Sequence, residues 1–128
     1  LSMSGKGGAM IQSNAKKALF AKGRLKPGVM NKTEAKYAAY LELLKQAGEV
    51  LWYAFEGMKF KLADACFYEP DFAVMLADGS MEMHEVKGAK AIFQDDAKVK
   101  IKVAAQKYPF KFKAIFPLKN NGWEVIDY

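Results

Sequence analysis

The chain has one cysteine, Cys66, among 128 residues. A lone thiol forms no internal disulfide and no cysteine-based zinc site, and it fits a reducing, cytoplasmic setting. Histidine is as scarce, with His84 alone, and no zinc spacing, Ser/His/Asp grouping or glycine-rich phosphate loop is present. No apolar run approaches the length of a membrane span, and nothing resembles a secretory signal. The Leu1-Ser2-Met3 start reads as a trimmed or added terminus. What the chain does have is apolar: 52% hydrophobic and 13% aromatic residues specify a folded domain rather than a disordered chain. The length suits a single core.

Acidic residues are missing from the first thirty positions, which carry Lys6, Lys16, Lys17, Lys22, Arg24 and Lys26. The remaining residues hold fourteen charges of each sign, so this segment supplies the whole net charge of +6. The chain therefore divides into a basic, flexible arm, residues 1–30, and a folded domain, residues 31–128. An acid-free basic arm points to a polyanionic partner, with a phosphate backbone first. Lys16, Lys17, Lys22, Arg24 and Lys26 are its candidate contacts. The plainer alternative is a solubilising tail. Met10-Ile11 and Ala18-Leu19-Phe20 are apolar enough for a short docked helix within it.

From Asn31 the texture changes. Asn31 with Glu34 three residues on reads as a capping-box-like helix start, and Gly48 as its end. Tyr37, Tyr40, Leu41, Leu44 and Ala47 fall on one face at helical spacing. Glu34 borders that face, whereas Glu42 projects away from it and reads as solvated. Residues 49–62 read as a strand, a break near Gly57 and a second short extended piece, with Trp52, Tyr53 and Phe55 in the core. A second helix starts at Gln94-Asp95-Asp96 and runs to about Lys107, with Ala97, Ile101, Ala104, Ala105 and Tyr108 as its buried stripe. Phe110–Phe116 alternates as a strand does, and Trp123–Ile126 suggests a last one. Helices before and after a hairpin, followed by a returning strand, indicate an α/β fold with a mixed sheet.

The hairpin carries the chemistry. Phe72–Leu76 and Ser80–His84 are joined through Ala77-Asp78-Gly79, and aspartate-glycine between apolar runs is a strong hairpin signal. Asp71 precedes the first strand, and Glu85-Val86-Lys87 closes the second. With Asp78-Gly79 as a two-residue loop, Phe72 faces Glu85 and Asp71 turns to the other side. With Ala77-Asp78-Gly79 as the loop and Gly79 in the left-handed conformation, Asp71 sits opposite Glu85 and Lys87 shares their face. The residues alone leave both turns open. In the second register two carboxylates and a lysine make a site for a hard divalent cation and a phosphate. The plainer reading is a turn aspartate and a solvated Glu/Lys strand face.

The acid at one strand and Glu-x-Lys on the next, with Glu34 on a preceding helix and a lysine-rich helix following, resembles the PD-(D/E)XK nuclease superfamily. Within it, the chain looks most like the phage endonuclease I family of Holliday-junction resolvases. The likeness runs from about Asn31 to Pro117 and rests on Glu34, Tyr68-Glu69-Pro70-Asp71-Phe72, Glu85-Val86-Lys87-Gly88, Phe93 and Asp95-Asp96. It implies a restriction-endonuclease-like core in the order α-β-β-β-α-β. It also implies a structure-specific DNA endonuclease acting on four-way or other branched DNA, a homodimer with two sites, and the cytoplasm of a bacterial host. Under the resemblance Asp71 and Glu85 are ligands of Mg²⁺, for which Mn²⁺ substitutes, together with the carbonyl of Val86. Lys87 orients or helps deprotonate the attacking water, and Glu34 completes a second metal position. The plainer reading of Glu34 is a capping acid.

Strand parity turns His84 and Glu82 away from Glu85, so His84 reads as structural or surface and not as catalytic. Asp95 and Asp96 read as helix caps. Lys98 and Lys102 are candidate phosphate contacts, although outward helix lysines commonly form a solvated face. The alternative function is a nucleic-acid-binding accessory protein of phage recombination or packaging that keeps the fold without activity. The intact acid–acid–lysine set argues against it, since a pure binder gains nothing from carboxylates beside phosphate.

Overall fold

The computed structural model describes residues 28–93 and 95–128, and the body considered below runs from Lys32 to Tyr128. Helix α1, Lys32–Gln46, has Glu34 in its first turn, where a carboxylate complements the helix dipole. It ends as predicted at Gly48, whose φ of 84° suits a residue without Cβ. Gly48 N–H donates to the Lys45 carbonyl (3.1 Å) and Glu49 N–H to that of Leu44 (2.9 Å), the paired bonds of a Schellman motif. Of the expected apolar face, Tyr37 and Leu41 are buried, while Tyr40 is 39% exposed.

Strands β1 (Val50–Phe55), β4 (Phe72–Leu76), β5 (Met81–Val86), β6 (Lys111–Pro117) and β7 (Trp123–Asp127) form one mixed sheet in the order β1-β4-β5-β6-β7. Strands β2 (Phe60–Ala63) and β3 (Cys66–Tyr68) pair separately as a small hairpin. The β5–β6 pair is parallel, and the other pairs are antiparallel. A parallel neighbour needs a crossover, and helix α2, Asp95–Lys107, supplies it after a short 3-10 turn at Lys90–Ile92. The fold is thus mixed α/β, with two helices, a five-stranded mixed sheet and a hairpin.

Two layers cover the sheet. Helix α2 and the β2–β3 hairpin lie on one face, with Ile101 and Ala104 packed among Phe60, Leu62, Tyr68, Ala73, Met83 and Phe112. Helix α1 lies against β1 and β5, with the Tyr37 ring edge-on to Phe72 at 5.6 Å and to Trp123 at 4.9 Å. Ile101 and Phe112 are fully enclosed, and truncating such a side chain to alanine costs about 2–5 kcal/mol.

The predicted element order is too sparse. Five strands precede α2 and two follow it, whereas the core order implied by the resemblance has three and one; the last strand, expected at Trp123–Ile126, is β7. Strand β3 has three residues, too few for alternation to show, and it follows a turn at Asp64-Ala65 that uses a positive φ (53°) at a non-glycine residue. The expected burial of Trp52, Tyr53 and Phe55 is also corrected. Strand β1 is a sheet edge with an irregularity between Val50 and Trp52, leaving Trp52 42% exposed and the other two only partly covered.

Candidate active site

The hairpin turn selects the register that gathers the acids. Gly79 has φ of 86°, its N–H donates to the Leu76 carbonyl (2.9 Å), and Leu76 N–H donates to that of Ser80 (2.9 Å). The loop is therefore Ala77-Asp78-Gly79, with the Asp78 carboxylate accepting from the Ser80 N–H (2.9 Å) and hydroxyl (2.7 Å). Its strands pair Met75 with Met81 and Phe72 with His84. One further step of this ladder sets Asp71 opposite Glu85, and parity puts Lys87 on their side.

Pro70 shapes the end of the ladder. Hydrogen-bonding pairs alternate from Leu76/Ser80, so both backbone groups of Val86 are aimed at position 70. A proline there has no N–H for the Val86 carbonyl. The Val86 N–H donates instead to Asp71 Oδ2 at 2.7 Å.

Burial and repulsion charge this corner. Glu85 is 6% exposed. Burial first, then the charges of Glu85 and Glu34, push the Asp71 carboxyl well above the ordinary range, against the Val86 N–H and Lys87. Burial likewise raises Glu85, opposed by Lys87 and by the Tyr68 hydroxyl. Lys87 Nζ stands 3.4 Å from Glu85 Oε2, with its side chain 29% exposed. Its backbone N–H is tied to the Ile115 carbonyl (3.0 Å) of β6. Glu34, from the first turn of α1, acts electrostatically on both carboxylates.

Among the described residues, no group of three or more His, Cys, Asp or Glu is gathered so as to hold a metal ion. Side chains therefore offer two carboxylates, Asp71 and Glu85, with the Val86 carbonyl beside them. That donor set suits Mg²⁺, which takes one or two carboxylates and keeps several waters. Two buried acids that repel each other are also stabilised by an added cation.

Sequence reasoning placed Tyr68 within the motif but gave it no role. Its buried hydroxyl donates to Glu85 Oε1 at 2.7 Å. It stands on β3, a strand too short to be recognised, so its direction could not be read.

The remaining candidates lie elsewhere. His84 is buried on the opposite face, where it bonds Tyr37 and Glu82, and it is not a surface residue. A half-open cavity of about 260 Å³ lies on that face, lined by Tyr37, His84, Lys113 and Trp123 among others. Glu42 is not simply solvated, because it accepts from the Tyr53 hydroxyl at 2.8 Å and ties α1 to β1. Asp95 and Asp96 occupy the first turn of α2. Lys98 and Lys102 are exposed on α2, with Lys98 Nζ 5.9 Å from the Phe93 ring centroid. Lys16, Lys17, Lys22, Arg24 and Lys26 lie outside the described residues.

Compared with protein-family models, with curated proteins and with solved structures, the chain gives no match in any of the three.

Proposed function

We propose that this protein is a metal-dependent endodeoxyribonuclease of the PD-(D/E)XK type, with a restriction-endonuclease-like core and branched DNA, such as a four-way junction, as substrate. The observation that carries the reading is the placement of Asp71 across from Glu85, with the Lys87 ammonium 3.4 Å from the Glu85 carboxylate. Clustered acids to hold a divalent cation, with a cationic side chain beside them, suit a metal-dependent hydrolase acting on a polyanion.

The reaction is attack of water on phosphorus with departure of the 3′ oxygen, leaving 5′-phosphate and 3′-hydroxyl ends. Asp71, Glu85 and the Val86 carbonyl would hold Mg²⁺ or Mn²⁺, which supplies Lewis-acid stabilisation of charge on the phosphate oxygens. Lys87 orients the attacking water and neutralises charge that builds on the scissile group. Glu34 adds negative charge at the same corner and so strengthens its demand for a cation. Exposed Lys98 and Lys102, with the basic residues of the arm, are suited to phosphate contact without sequence readout. Resolving a junction requires two cuts, so a C2 homodimer with two sites is part of the proposal.

The test is cleavage of a synthetic four-way junction in Mg²⁺ or Mn²⁺ by the wild type, Asp71→Asn and Lys87→Ala. Cutting by the wild type with loss of at least about a hundredfold in each variant supports the reading. Equal cutting of linear duplex removes the branched substrate and leaves a nuclease. Junction binding with no cutting under any divalent ion assigns the chain to the inactive accessory class instead.

A further inference from the structure

Each carboxylate of the proposed metal corner has one oxygen committed to a protein donor. Asp71 Oδ2 accepts from the Val86 N–H at 2.7 Å, and Glu85 Oε1 accepts from the Tyr68 hydroxyl at 2.7 Å. Glu85 Oε2 faces the Lys87 ammonium at 3.4 Å, a flexible and part-exposed side chain, and Asp71 Oδ1 has no such donor among the described residues. The two donors differ in kind. The Val86 N–H is backbone, fixed by the strand, and no side-chain substitution removes it. The Tyr68 hydroxyl is a side-chain group on a separate hairpin, and it can be removed alone.

Tyr68 is also held firmly. It is 6% exposed, it belongs to the core beneath α2, and its ring lies 6.4 Å from that of Phe112. Swinging the phenol away from Glu85 would strand a buried hydroxyl and strip a buried carboxylate of its donor, a loss of a charge-assisted hydrogen bond.

Divalent cations respond differently to such a corner. Mg²⁺ and Mn²⁺ take one oxygen from each carboxylate in near-octahedral geometry. Ca²⁺ takes more oxygens at longer distances and commonly uses both oxygens of a carboxylate. A cation content with one oxygen from Glu85 leaves the Tyr68 bond intact. A cation that requires both must share Oε1 with the phenol, at an oxygen whose electron density and approach directions the bond has already reduced.

We propose that Tyr68 is a specificity-determining residue: by occupying Glu85 Oε1 it confines Glu85 to one-oxygen coordination and biases the site toward small octahedral cations over Ca²⁺. The inference rests on the metal-site reading given above and adds a residue and a selectivity to it.

The experiment is calorimetric titration of the full chain, without DNA, with Mn²⁺ and separately with Ca²⁺, using the wild type, Tyr68→Phe and Asp71→Asn. The wild type binds Mn²⁺ more tightly than Ca²⁺, and Asp71→Asn abolishes that binding, which locates it. In Tyr68→Phe the ratio of Ca²⁺ to Mn²⁺ dissociation constants falls by about tenfold, the usual scale of an outer-shell change. Phenylalanine keeps the ring and its packing, and a melting curve confirms that the variant is folded. An unchanged ratio, with Mn²⁺ still bound, overturns the role of Tyr68 and leaves the metal site standing. Equal affinity for the two ions in the wild type overturns it without any variant. Absence of Mn²⁺ binding in the wild type overturns the metal site itself, and the selectivity with it.

Discussion

Asp71 and Glu85 are costly residues for this domain to carry. Both are pushed toward the neutral form by burial, and Glu34 adds to the repulsion on each. Replacing Asp71 by asparagine removes a charge while keeping an oxygen that can accept from Val86 N–H. The metal-free Asp71→Asn variant should therefore melt higher than the wild type, by about 5 °C for each kcal/mol of relieved repulsion. Melting curves in the presence of a chelator check this, and a lower melting temperature would show that the corner is not strained by its charge. At this scale the sequence was legible in type and order: an aspartate after proline, then Glu-x-Lys. It was not legible in neighbourhood. Tyr68 touches Glu85 across seventeen residues of chain, and no local pattern announces that contact.

At the scale of elements, the α1 face of the sheet is fastened by a chain of polar contacts. The Glu82 carboxylate can only accept, so His84 Nε2–H donates to it (2.9 Å), and His84 Nδ1 shares a hydrogen bond with the Tyr37 hydroxyl (2.8 Å). Lys113 Nζ reaches Glu82 Oε2 at 3.2 Å and Asp127 at 3.7 Å, linking β5, β6 and β7. Tyr37 stands one turn beyond Glu34, so this bond also holds the end of α1 that carries the third acid. The His84 hydrogen bond, opposed by burial and aided by attraction to His84 and Lys113, holds Glu82 below its usual value of 4.5. A lowered carboxylate contributes stability above the unfolded value and loses it as pH falls through the folded one. Glu82→Gln should cost about 1–3 kcal/mol at neutral pH, and the gap from wild type should close below about pH 4.5. Denaturant titrations at both pH values measure it, and a gap independent of pH would mean that the Glu82 charge contributes nothing.

The same scale explains which elements could be read beforehand. Both helices announced themselves through acids at the start and apolar spacing, the first also through a terminal glycine, and both lie close to their expected limits. The Ala77-Asp78-Gly79 turn was recognised, but its length decides the register and Asp-Gly fits two lengths. Only the tertiary pairing chooses between them. Gly79→Ala puts a Cβ on a residue with φ of 86°, and it should cost about 1 kcal/mol, read as a fall in melting temperature with the fold retained.

For the whole molecule, charge is the feature with the longest reach. The net +6 comes from the first thirty residues, and the rest of the chain is balanced. If those six basic residues meet phosphates, replacing the arm with a neutral sequence should weaken DNA binding and flatten its logarithmic salt dependence by up to about five units. Affinity measured over a range of salt tests this, and an unchanged slope would exclude the arm from the interface. No helix among the described residues is long and apolar enough to cross a membrane.

The turn at Ala77-Asp78-Gly79 lies at the far end of β4 from Asp71, about 17 Å along a five-residue strand. It touches none of the acids, yet its length governs which side of the sheet each of them occupies. Insertions and deletions at that distant tip are therefore constrained in parity. A single residue passed from the loop into the ladder would turn Asp71 to the face beneath α1. A part of the surface that looks free to vary thus sets which face of the sheet the acids occupy.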